Sequence, residues 1–162
     1  MPRSLLLATV FLLTFASLSA AETTELSVTR DTCLWELDPT FNFGTQRDLP
    51  SGTLGAMGEN LRSRILFQVD LTLPNKAEIV GARYRVEVTM APPSGTRVDS
   101  TFALHRVLTP WTEGEQRGDL PGGRRALDGE STWAAKAHPD APWATEGSAI
   151  GTDFVSEPSA TA

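Results

Sequence analysis

A single cysteine, Cys33, stands among 162 residues. An intrachain disulfide is therefore excluded, and the fold must rest on its apolar core. Histidine is nearly as scarce, so His105, His138 and Cys33 make a poor basis for a zinc site. No stretch keeps helical periodicity over a useful length, although 133–136 could form one turn. The glycine-rich run at 51–58 is followed neither by Gly-Lys-Ser/Thr nor by a helix pattern, which rules against a phosphate loop and leaves a hairpin connection. No nucleophile motif, cofactor fingerprint or triad is present, and the expectation is that the chain is not an enzyme. Basic runs are missing as well. With a formal net charge of −6 and dispersed arginines, nucleic acid and anionic membranes are not expected partners.

Long apolar runs are confined to the N-terminus. Arg3, an apolar stretch over 5–16 and the small residues Ser19-Ala20-Ala21 read as a signal peptide cleaved after Ala21. Removal of Arg3 would take the net charge from −6 to −7. The expected location is secreted or cell-surface, with no membrane insertion after cleavage, and the expected domain is 22–162.

Within that domain the apolar pattern alternates. Leu26, Val28, Cys33, Leu34 and Trp35 predict one strand, or two broken near Arg30-Asp31. Cys33 then reads as a small buried strand residue rather than a reactive thiol. The loop at 38–45 holds Phe41 and Phe43 and should fold back on a core. Over 64–71, Ile65, Phe67, Val69 and Leu71 share one predicted face, with Leu66, Gln68 and Asp70 on the other. Over 79–90, Ala82, Tyr84, Val86, Val88 and Met90 alternate with Arg83, Arg85, Glu87 and Thr89, which predicts a long half-buried strand. A turn follows at Pro92-Pro93-Ser94-Gly95. A further strand over 102–108 ends at Thr109-Pro110-Trp111, because proline cannot donate to a ladder. Residues 115–129 read as an exposed excursion. Strands separated by Gly and Pro turns predict an all-β, antiparallel β-sandwich of jelly-roll-like type.

The order of several motifs carries a family resemblance. Asn42-Phe43-Gly44-Thr45 comes first, followed by 62–71 with Leu73-Pro74 and by 79–86. His105-Arg106-Val107, Pro110-Trp111-Thr112-Glu113-Gly114 and Ser131-Thr132-Trp133 complete the series. From about residue 29 onward the chain resembles the DNRLRE domain, also grouped as carbohydrate-binding module family 96, of secreted bacterial and archaeal proteins. The resemblance implies a non-catalytic module attached to other domains of a larger secreted protein, with polysaccharide as partner. It also implies further strands beyond a region like Ala141-Pro142-Trp143. The sandwich is therefore expected to be incomplete and the sequence to be a fragment of a longer protein.

Sugar recognition needs flat apolar faces and planar polar groups at their edges. Trp111, Glu113, Trp133, Trp143 and Arg125 are the candidate ligand-binding residues, with Glu130, Arg124 and Asp140 nearby in sequence. The same tryptophans could instead close the end of a β core, Trp111 and Trp133 especially. Structural calcium has a fuller donor set than zinc, through Asp31 and Asn42 in an acidic stretch with Asp38 and Asp48, or through Asp140 and Asp153. Against it, acidic turn residues commonly cap backbone groups. A hydrolase could use paired carboxylates such as Glu113 and Glu130, but nothing in the sequence marks them beyond abundance. The alternative to glycan binding is a structural or adhesive spacer domain.

Overall fold

The computed structural model describes residues 22–91, 100–118 and 122–162. The expected leader at 1–21 and the turn at 92–95 lie outside these residues. The chain is all-β. Its strands are β1 (Val28–Trp35), β2 (Phe41–Asn42), β3 (Gly52–Thr53), β4 (Arg62–Val69), β5 (Ala103–Leu104), β6 (Arg124–Arg125), β7 (Ala135–Ala137), β8 (Ala141–Pro142) and β9 (Ala160–Thr161). The helical element among the described residues is one 3-10 turn, Ala56–Gly58, in the connection that closes the β3–β4 hairpin. No helix among them is long and apolar enough to cross a membrane.

The sheets are small and antiparallel: β1-β4-β3, β2-β6, β5-β9 and β7-β8. The β1/β4 ribbon is the longest, and its register sets Cys33 against Ile65, Thr32 against Leu66 and Arg30 against Gln68. Of the two expectations one strand is observed: pairing runs through Arg30 and Asp31, and the register shifts only between Val28 and Arg30. Side chains alternate across a strand, so consecutive residues of β1 serve opposite faces. Leu34 joins Leu66, Trp133 and Trp143 in one buried cluster, with Val107 and Trp111 against it. Cys33 and Trp35 join Phe43 in another, flanked by Phe41 and Leu49. Trp35 and Phe43 meet edge to face, with ring centroids 5.4 Å apart. The aromatic loop after β1 does fold back.

Apolar cover on both faces of the ribbon corrects the expected facing of β4. Leu66 is its buried residue, Ile65 and Phe67 are half-buried, and Val69 and Leu71 are exposed. The strand expected over 79–90 is also corrected. Those residues form no strand and stand exposed, because alternation supplies propensity whereas a ladder needs a partner. The strand expected over 102–108 is present only in pieces, as β5 against β9 and a bridge between Val107 and Phe154. His105 sits at that edge, Nδ1 2.8 Å from the Val155 carbonyl and its ring against Phe154.

The excursion expected over 115–129 returns to the core instead. Its β6 pairs with β2, Gly123 and Ala126 are buried, and the Ala126 N–H donates to the Thr40 carbonyl at 2.9 Å. A Cβ on Gly44 would overlap the carbonyl oxygens of Glu113 and Gly114, so this crossing requires glycine.

Candidate functional site

Asn42 occupies the centre of the polar framework and is wholly buried, at 0% exposure. Its Nδ2 donates to the carbonyls of Glu113 at 2.7 Å and Ser131 at 2.9 Å, and to Thr32 Oγ1 at 3.4 Å. Its Oδ1 accepts from the N–H groups of Gly44 at 2.9 Å and Gln116 at 3.4 Å. A carboxamide has two donors and two acceptor sites, and here both kinds are filled. This corrects Asn42 as a metal ligand, since its oxygen has no lone pair left for an ion. Asp31 is half-buried on β1, and its N–H donates to Glu113 Oε1 at 2.9 Å. Burial, and then the neighbouring Glu113 charge, hold the Asp31 carboxyl above its ordinary range. Among the described residues no group of three or more His, Cys, Asp and Glu is placed to hold a metal ion.

Two other acidic candidates, Asp153 and Glu130, cap backbone groups. Asp153 is 2% exposed, and its Oδ2 accepts from the N–H groups of Ala149 at 2.7 Å and Ala144 at 3.1 Å. Glu130, also buried, accepts from the N–H groups of Glu115 and Leu127 and from Gln116 Nε2. Both of its oxygens are thus engaged, one by Glu115 and Gln116 and the other by Leu127.

The tryptophans divide. Trp133 and Trp143 are 1% and 4% exposed. Trp143 Nε1 donates to the Thr132 carbonyl at 2.8 Å, giving the buried indole its partner. Over the Trp133 ring lie the Arg62 and Arg64 guanidinium carbons, 5.2 and 5.6 Å from its centroid. Arg64 is pinned there by the Gly147 and Ser148 carbonyls, and burial lowers its pKa. Neither ring has a face left for a ligand, which corrects Trp133 and Trp143 as stacking platforms. Arg125 is exposed on β6 opposite Phe41, away from the residues that line the cleft described next.

Trp111 is different. It is half-buried, and with Arg30, Gln68, Val107, Leu108, Thr109 and Pro110 it lines an open cleft of about 370 Å³. The cleft sits at the end of the β1/β4 ribbon where Arg30 and Gln68 oppose one another. Asp153 fixes its other wall: the Leu108 N–H donates to the Asp153 carbonyl at 2.8 Å and Thr109 Oγ1 to its Oδ1 at 3.3 Å. The arrangement offers an indole, a guanidinium and a carboxamide around one opening. Arg30 and Gln68 escaped sequence reasoning because one fell in an expected break and the other on the face opposite Ile65, Phe67 and Val69. Their pairing is a property of register, for which the sequence carries no local signal. Glu113 does not line this cleft. No family model matches the chain. Neither a curated protein nor a solved structure matches it.

Proposed function

We propose that this protein is a secreted, non-catalytic carbohydrate-binding module that takes a polysaccharide in the cleft beside Trp111. The observation that carries the reading is the grouping of Trp111 with Arg30 and Gln68 around one open cleft. An indole can cover the C–H face of a pyranose, while planar guanidinium and carboxamide groups pair with hydroxyls at its edge. The likeness of the motif series to the DNRLRE domain supports the same reading, as it does export through 1–21, a sandwich architecture and a place among other domains. Asp153 fixes the Leu108–Thr109 wall of the cleft, so that wall needs little ordering on binding.

Affinity electrophoresis through gels containing soluble polysaccharides tests the proposal. Retardation by at least one glycan is expected, with Trp111→Ala abolishing it and Arg30→Ala weakening it about tenfold, the loss of one charge-assisted hydrogen bond. Absence of retardation across a broad panel, or retardation indifferent to Trp111→Ala, rejects it. The second reading, a structural or adhesive spacer, is favoured by the exposed apolar residues of 79–90. It predicts no retardation at all.

A further inference from the structure

We propose that residues 81–91 form an antiparallel strand with the same residues of a second copy of this chain, about a two-fold axis through Val86. The stretch alternates Ala82, Tyr84, Val86, Val88 and Met90 with Arg83, Arg85, Glu87 and Thr89. No residue in it has positive φ. Yet among the described residues no backbone group of 78–91 hydrogen-bonds another backbone group. Val80, Val86, Val88 and Met90 stand 80, 64, 76 and 79% exposed. Open N–H and C=O groups beside apolar side chains form a template for strand addition. The stretch is tethered where the Tyr84 ring stacks on Phe67 of β4, centroids 4.3 Å apart and planes within 1°.

Charge selects a second copy as the occupant. With the axis at Val86, Arg85 faces Glu87 of the second copy and Glu87 faces its Arg85, while Tyr84 faces Val88 and Arg83 faces Thr89. Opposite charges directly across an antiparallel pair stabilise it, and like charges destabilise it. Moving the axis by one residue brings Arg85 or Glu87 against itself. Parallel pairing in register sets Arg beside Arg and Glu beside Glu. The antiparallel register centred on Val86 pairs Arg85 with Glu87 on both sides of the axis, and such an isologous contact closes as a dimer. Arg85 and Glu87 are exposed, so exchanging them leaves both buried clusters untouched.

Sedimentation velocity of the purified chain is the test. A dimer that dissociates on dilution is expected. Arg85→Glu and Glu87→Arg should each weaken association by about tenfold or more, and the two together should restore it, since the exchange recreates both pairs. In a second arm, Val86→Cys should give a covalent dimer on oxidation because the position faces its own copy, whereas Val88→Cys, facing Tyr84, should not. The buried Cys33 stays out of this chemistry. A monomer at about 100 µM, where a dimer of micromolar Kd would be nearly complete, overturns the proposal. So does a double exchange no better than the single ones, or crosslinking at 88 equal to that at 86. Arg85 and Glu87 lie outside the Trp111 cleft, so glycan retardation reads separately from association.

Discussion

Asp31 shows how one residue answers to its surroundings. In sequence it is an acidic residue near a strand break. In the fold, burial and the charge of Glu113 make its carboxyl hold its proton more tightly than the ordinary value of 3.8. The folded chain therefore binds that proton better than the unfolded chain does. Ionisation costs folding stability as pH rises from about 3.8 through the raised folded value, and the cost is fully present above it. Asp31→Asn should accordingly raise the melting temperature near neutral pH, with the gain shrinking as pH falls through the raised folded value and vanishing below 3.8, where both states carry the proton. Equal gains at both ends of a thermal-shift series from acid to neutral would contradict the carboxylate as cause. Asp31 donates to Glu113 Oε1 through its backbone N–H, so that bond survives the substitution.

At the scale of elements, the β1/β4 ribbon divides the apolar residues between two clusters, and Cys33 reports on it. The thiol is wholly buried, bonded to the Pro50 carbonyl at 3.2 Å, and pushed up to about 12, chiefly by burial. Only the thiolate attacks a disulfide reagent, so labelling must await opening of the ribbon. Labelling of the native chain should be on the order of a thousandfold slower than in urea. Rapid native labelling would mean that β1 opens locally without global unfolding. Alternation made β1 and β4 legible in the sequence, and the aromatic loop made Phe43 legible as a buried residue. The facing of β4 was not legible, because Ile65 and Leu66 are both apolar and the choice between them depends on what covers each face. Residues 79–90 show the converse: their alternation is stronger than that of β4, yet no ladder forms among the described residues.

At the scale of the whole molecule, Asn42 joins parts that are far apart in sequence. Its side chain reaches β1 through Thr32, the post-strand loop through Glu113 and Gln116, and the approach to β7 through Ser131. Asn42→Ala would strip partners from buried carbonyl and N–H groups at once, and a loss of ~3 kcal/mol is expected. Urea unfolding checks it: a midpoint shift equivalent to less than about 1 kcal/mol would show that solvent readily replaces these bonds. By itself the sequence determined the all-β class, the main strand pair and the loop aromatics, because each follows from local alternation and turn chemistry. Only the tertiary structure decided that Trp133 and Trp143 are core while Trp111 borders a cleft. It alone set Arg30 across from Gln68 and committed the oxygens of Asn42, Glu130 and Asp153 to backbone groups. Those outcomes depend on register and on contacts between distant segments, and neither is encoded in the periodicity of a single strand.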